Sequence, residues 1–406
     1  MSKFYVKPNI DFYAFNDSWL SDRMLFVAGP RQVGKTTYAK KKIAELGGNY
    51  FTWDDRKVRT AYAKDSDFFA KTTKASELVV FDEIHKIKNW KNILKGAFDV
   101  YKDQFRFLIT GSAKLDTFRR SGDSLVGRYF LTHMMPLSLG DLSNNNFQGF
   151  HSADDLLITA HNQSTSQINF RDEIESLVYL SGFPEPFFKS QETFTRRWQR
   201  QHRELLVRED LRDLTNVKNL DAVENLVNLL EPRVGSTCSI DSLAKLLEVD
   251  YKSVKQWLLY LEKIMLIYGI KPWSKKINRS LHKNSKFYFY DWSCIKDVGA
   301  RLENFVASQL LKICILYQDR FGYKYDLHYI RTYDGMEVDF LISCDSQPWL
   351  LVEVKNGKPD ISPALYKFKE ELNVTALVLT NQPKFNERRK DGISIMSLER
   401  FFSLTP

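Results

Sequence analysis

The chain has 406 residues, is 43% hydrophobic and carries a formal net charge of +9. That length suggests two or three domains, each able to bury a core. No apolar run reaches the roughly 18 residues of a membrane span. The start, MSKFYVKPNI, lacks the apolar centre of a signal peptide. A soluble cytoplasmic protein with no membrane contact is expected.

Cys238, Cys294, Cys314 and Cys344 are scattered without a C-x-x-C pair, so neither a zinc site nor a disulfide framework is suggested. The positive charge is modest and permits a polyanion partner. Two segments concentrate it. TRRWQRQHR (195 to 203) has four arginines and no acid, and KPWSKKINRSLHKNSK (271 to 286) has six Lys/Arg and no acid.

The first part alternates strands and helices. RMLFVAG (23 to 29), NYFTW (49 to 53), ELVVF (77 to 81), RFLIT (106 to 110) and RYFLTHMM (128 to 135) read as strands. Several are apolar at consecutive positions, as strands covered on both faces are. The pattern predicts an α/β fold with a mostly parallel sheet and helices on both sides.

The loop after the first strand, Gly29-Pro30-Arg31-Gln32-Val33-Gly34-Lys35-Thr36-Thr37, contains G-x-x-x-x-G-K-[ST]. It follows a strand and opens a helix, the setting in which backbone N–H groups wrap phosphate oxygens. Lys35 would reach the β- and γ-phosphates of ATP, and the Thr36 hydroxyl would ligate Mg²⁺. LVVFDEIH supplies the second half: Asp82 would hold the Mg²⁺ shell and Glu83 would polarise the attacking water. The strand ending in ITGS offers Thr110 or Ser112 to orient that water or sense the γ-phosphate.

Residues 143 to 169 are rich in Asn, Ser and Gln and read as an insertion around a short helix. After SGFPEPF the chain is helical and charged to about residue 233. Residues 239 to 270 read as two helices with a break at EVDYK, followed by extended Tyr- and Phe-rich segments, which suggests a winged helix-turn-helix. Its second helix exposes Lys252, Lys255 and Gln256, suited to phosphate or base-edge contact, and 271 to 286 would be the wing.

Near the C-terminus LENFVASQLLKICILY reads as a helix, and MEVDFLISC and PWLLVEVK as paired strands. Asp339, Glu353 and Lys355 fit D-x(13)-E-x-K. Glu353 and Lys355 share a strand face. A hairpin centred on Ser346 sets Asp339 opposite Glu353, with Cβ atoms about 5 Å apart. Two such carboxylates call for a cation, which Mg²⁺, or Mn²⁺ in its place, would supply. Lys355 would orient or deprotonate a bound water. Glu337 falls opposite Lys355 and would neutralise it.

GPRQVGKTT, VVFDEIHK, ITGS, SLVGRYFLTHMMPLS and SGFPEPF, followed by KFYFYDWS, LENFVASQL, GMEVDFLI and LVEVK, resemble in this order the AAA-type ATPases of bacteria and archaea that carry a nuclease-like C-terminal domain. The resemblance covers nearly the whole chain. It implies an AAA-type ATPase core over 1–142, a polar insertion and helical linker or lid over 143–233, a winged-helix-like part over 234–290, and a PD-(D/E)XK, restriction-endonuclease-like α/β domain over 291–406. It implies that Arg128 is an arginine finger acting on a neighbouring subunit, with Arg119 and Arg120 as competitors, and hence a homo-oligomer. It also implies that Glu303 completes a metal site with Asp339 and Glu353. Val338 stands where proline gives that motif its name. Two readings follow: an ATP-driven enzyme that cuts DNA, or an ATP-dependent switch whose C-terminal domain only binds a protein or DNA partner.

Overall fold

The computed structural model describes residues 5–15, 22–111, 125–143, 149–164, 168–214, 217, 219–274 and 284–406. Ser112, Arg119, Arg120 and residues 275–283 of the expected wing lie outside them. The chain divides into two compact units. One comprises Ile10–Met135 with Lys263–Met265; the other comprises Met1–Asn9, Pro136–Glu262 and Leu266–Pro406.

The first unit is built on a five-stranded sheet of β1 (Met24–Ala28), β2 (Gly48–Thr52), β3 (Leu78–Asp82), β4 (Arg106–Thr110) and β5 (Tyr129–His133). The order is β2-β3-β4-β1-β5, and every pairing is parallel. These are the five stretches read as strands. Every residue of β1 and β3 is buried, because helices cover both faces. Helix Lys35–Leu46 packs over β2, β3 and β4. On the other face Phe69, Leu94, Ala97 and Phe98 meet Phe26, Phe81 and Phe107 in an aromatic core. The Phe69 and Phe81 rings meet edge to face, 5.4 Å apart, a favoured arrangement. Since the strands run parallel, the residues after β1, β3 and β4 all emerge at one edge of the sheet.

The second unit holds an eight-stranded mixed sheet in the order β12-β13-β11-β10-β9-β8-β6-β7. Its strands are β6 (Ile267–Pro272), β7 (Lys286–Phe289), β8 (Tyr325–Arg331), β9 (Glu337–Cys344), β10 (Gln347–Lys355), β11 (Thr375–Thr380), β12 (Asn386–Arg388) and β13 (Ile393–Ser397). Helix Pro363–Leu372 covers β9, β10 and β11 on one face, and the long helix Val298–Phe321 lies along β7, β8 and β9. The two helices read in 239 to 270 are Ile240–Leu247 and Tyr251–Lys263. The strands that follow them have no sheet of their own: β6 pairs with β8 and carries β7 as the sheet's edge. The side chain of Asn304 closes that edge by bonding both Phe289 N and Phe289 O at 2.9 Å. All four cysteines are free thiols.

Candidate functional site

Strand β1 ends at Ala28 and the chain turns at Gly29, where φ is +157° and a Cβ would stand 2.1 Å from the Met134 carbonyl oxygen. Only glycine fits there. Gly34, at φ +110°, caps helix Lys35–Leu46. The loop between them presents its amides at the helix N-terminus, where partial positive charge accumulates. The Lys35 ammonium is buried and donates to the carbonyls of Gly29 at 2.8 Å and Pro30 at 2.6 Å. It is thus held over the loop by weak neutral acceptors, from which a phosphate would draw it.

Asp82 ends β3 and is buried. Its register partners are Thr52 on β2 and Thr110 on β4. Three hydroxyls donate to its carboxylate: Thr36 at 2.9 Å, Thr110 at 2.5 Å, and Tyr50. Thr36 and Asp82 therefore meet as the motif requires, and this pair of oxygen donors suits Mg²⁺. Thr110 takes a different part from the one expected. Its hydroxyl is fully buried and given to Asp82, so it positions that carboxylate. Sequence reading passed over Tyr50. Burial first, and then Asp82, push its phenol up beyond the usual range, so it remains a donor at any ordinary pH. The available signal was positional: Tyr50 shares a strand face with Thr52, on the strand beside Asp82.

Glu83 turns out of the sheet in left-handed backbone geometry, φ +57°. Its amide bonds the Thr110 carbonyl at 3.0 Å. Its carboxylate lies 3.3 Å from His85 Nε2. Burial, followed by the charge of Asp82, raises its pKa, while Lys35 and Lys86 draw it down. A carboxylate so shifted is a better proton acceptor than an ordinary one.

Arg128 precedes β5, and Tyr129 pairs with Met24 at the start of β1. It therefore lies at the opposite edge of the sheet from the Gly29 loop of its own chain, roughly 16 Å along five strand residues. Its guanidinium forms a two-point pair with Asp99, at 2.7 and 2.9 Å. Arg31, Gln32, Val33 and Thr37 complete the loop and first helical turn, with Val33 buried.

The second candidate site lies in the C-terminal sheet. The β9–β10 turn is Asp345-Ser346, both with positive φ, as a two-residue hairpin turn of this hand requires. Register shifts by one between Pro348 and Leu350 and then runs to Val352 opposite Phe340. Continued one step, it sets Asp339 opposite Glu353. There the ladder opens, and Val354 N donates to Asp339 Oδ2 at 2.8 Å. Burial, with the charges of Glu303 and Glu353, lifts the Asp339 pKa to about 7.

The charges around it are arranged differently from the expectation. Glu337 does not neutralise Lys355. It pairs with the buried Lys286, and with Arg331 at 3.2 Å. Lys355 instead pairs with Glu353 at 2.9 Å. Glu303 accepts from Tyr288 at 2.7 Å and lies 3.8 Å from Lys286 Nζ. Lys286, the last residue of the expected wing, is 1% exposed. Among the described residues no group of three or more His, Cys, Asp and Glu side chains is arranged to hold a metal ion. Asp339, Glu353 and Glu303 are neighbours, but protein cations and a phenol occupy the latter two. As they stand they do not fit Mg²⁺ or Mn²⁺.

A family model described as an AAA domain matches residues 21–143. It supports a P-loop ATPase of AAA type over the unit that carries Lys35 and Asp82. Residues 171–298 and 298–401 match two models described as domains of unknown function, DUF8612 and DUF4143; these add no support for a nuclease. The chain is 21% identical over 371 residues to an uncharacterized protein of Mycobacterium tuberculosis, covering 88% of this chain and 76% of that one. It is 23% identical over 399 residues to an uncharacterized protein of Methanocaldococcus jannaschii, covering 87% and 79%. Among solved structures, the Aeropyrum pernix ORC1 protein in complex with DNA is similar at a TM-score of 0.29 and 12% identity, over 71% of this chain and 88% of that one. The McrB AAA+ hexamers of Thermococcus gammatolerans with bound McrC give 0.20 and 11%, over 38% and 36%. Neither likeness is close enough to bear on function. No helix among the described residues is long and apolar enough to cross a membrane.

Proposed function

We propose that the protein is a Mg²⁺-dependent ATP hydrolase that works as a homo-oligomer and uses the hydrolysis cycle to change how its C-terminal domain engages a nucleic-acid partner. The observation that carries the reading is the meeting of Lys35, Thr36 and Asp82 at one edge of the parallel sheet. The loop amides from Arg31 to Thr36 bind the phosphates. Lys35 leaves its two carbonyls for the β- and γ-phosphate oxygens. Thr36 and Asp82 would hold Mg²⁺, which when bound offsets charge on the triphosphate. Glu83 takes a proton from the attacking water. Arg128 lies too far along the sheet to serve its own loop, so it would complete a neighbour's site once released from Asp99.

In the C-terminal domain the Glu353–Lys355 and Lys286–Glu337 pairs favour binding over cutting. Exposed Arg196, Arg197, Arg200, Lys252 and Lys255 suit a polyanion. Phosphate release from MgATP, measured with and without DNA, tests the first half; a rate unaffected by Lys35→Ala overturns it. Incubation of DNA with ATP and Mg²⁺ or Mn²⁺ tests the second. Cleavage that Asp339→Ala removes would restore the nuclease reading.

A further inference from the structure

One cavity of the first unit lies beside the ATP site and shares none of its phosphate-loop residues. It holds about 330 Å³ and is lined by Trp53, Arg59, Tyr62, Lys86, Ile87 and Lys88. No residue of the Gly29–Thr37 loop lines it. Its walls are two aromatic rings, an aliphatic side chain and three cations, with no acid. Trp53 is buried, and the half-buried Tyr62 meets it edge to face at 6.1 Å. Arg59 is fixed by donating to the Trp53 carbonyl at 2.6 Å. Lys86 is exposed and pairs with Asp54; Lys88 is exposed.

The charge continues beyond the cavity. Residues 56–64, RKVRTAYAK, carry four cations between Asp54-Asp55 and Asp65, and residues 84–95, IHKIKNWKNILK, carry four lysines and no acid. One supplies the helix after β2, the other the turn and helix after β3. An aromatic-walled hole of this size takes one planar group, and the cationic segments on either side take a row of anions. A polynucleotide strand has that combination: a π-face on each base and a charge on each phosphate.

We propose that this cavity binds single-stranded nucleic acid, with one base against Tyr62 over Trp53 and phosphates on Arg59, Lys86 and Lys88. This adds a docking site on the first unit to the C-terminal engagement proposed above, and it rests on the nucleic-acid part of that reading, not on ATP hydrolysis. The position matters for coupling. The Lys86 amide bonds the Glu83 carbonyl at 3.1 Å, so a phosphate on Lys86 pulls on the turn that carries Glu83.

The test is fluorescence anisotropy of a labelled oligothymidylate titrated with the full-length protein at several salt concentrations, without ATP. Tyr62→Ala should weaken binding by about tenfold and leave the salt dependence unchanged, as loss of one stacked base does. Lys86→Ala with Lys88→Ala should reduce the slope of log affinity against log salt by about 1.4, at about 0.7 per lost phosphate contact. Asp54→Asn, which frees Lys86, should tighten binding, a gain that misfolding does not produce. Inorganic polyphosphate should compete less well than unlabelled oligothymidylate. Lys35→Ala should bind as the wild type does, so failure of the ATPase reading and failure of this one are separable. Absence of binding by the wild type overturns the proposal. So does wild-type affinity in the Tyr62 and Lys86/Lys88 variants, equal competition by polyphosphate, or loss of binding only on Lys252→Ala with Lys255→Ala.

Discussion

Tyr50→Phe removes one of three hydroxyl donors from the Asp82 carboxylate and leaves the ring in place. Thr36 still donates to Oδ2 and Thr110 to Oδ1, so neither oxygen is stripped and stability should fall by no more than about 1.5–3 kcal/mol. The effect on the ion is of similar size and easier to read. Hydrogen bonds to a charged acceptor contribute about 1.5–3 kcal/mol, and loss of a partner that orients a metal-holding group typically costs about 10–100-fold in metal affinity. The two ranges agree, since about 1.4 kcal/mol is tenfold. An opposing effect exists: a carboxylate with fewer donors is a stronger ligand. Orientation should prevail, because Thr36 turns to the ion it is proposed to ligate, which leaves Thr110 alone of the remaining hydroxyls to align the carboxylate. The assay is the rate of ATP hydrolysis against Mg²⁺ concentration. Half-saturation should shift upward by about 10–100-fold with nearly full rate at saturation. A lower half-saturation would show Tyr50 competing with the ion and would refute the reasoning.

Gly29→Ala drives a Cβ into the Met134 carbonyl and should abolish nucleotide binding measured by calorimetry. Arg128→Ala should keep nucleotide affinity and lose about 10³-fold in hydrolysis; mixing it with Lys35→Ala subunits should restore part of the rate, since each supplies what the other lacks. A mixed rate no higher than the sum of the two would refute a role across subunits. Asp339 binds a proton in the folded state up to about pH 7, against about 3.9 when unfolded. The folded state therefore holds more protons through that window, and stability contributed at this site falls as pH rises from about 4 to 7. Asp339→Asn should raise the thermal midpoint at pH 8 and show progressively less gain toward pH 5.

The N-terminal sheet was legible because its information is local. Buried strands are continuous apolar runs, and a glycine loop followed by Lys-Thr fixes where the first of them ends. The β9–β10 hairpin was legible for a similar reason, although its register shifts between Pro348 and Leu350 and its ladder ends at Val352 opposite Phe340, one step short of Asp339 and Glu353. What escaped depends on distant segments. Cross-strand counting set Glu337 against Lys355, but Lys286, 51 positions upstream of Glu337, enters from the edge strand and takes that charge. Nothing periodic in the sequence announces a parallel contact of β6 with β8. Thr110 or Ser112 was read as orienting the water or sensing the γ-phosphate because the strand ends at the site; the bond from Thr110 to Asp82 was not legible, since it depends on the neighbouring strand.

The central claim is that one loop and one strand end hold and split a triphosphate. Binding and turnover of MgATP, measured together on the wild type, Lys35→Ala and Glu83→Gln, test it most directly. The wild type should bind and release phosphate, Glu83→Gln should bind without turnover, and Lys35→Ala should do neither. Turnover by Glu83→Gln at the wild-type rate, or binding by Lys35→Ala at wild-type affinity, would contradict it.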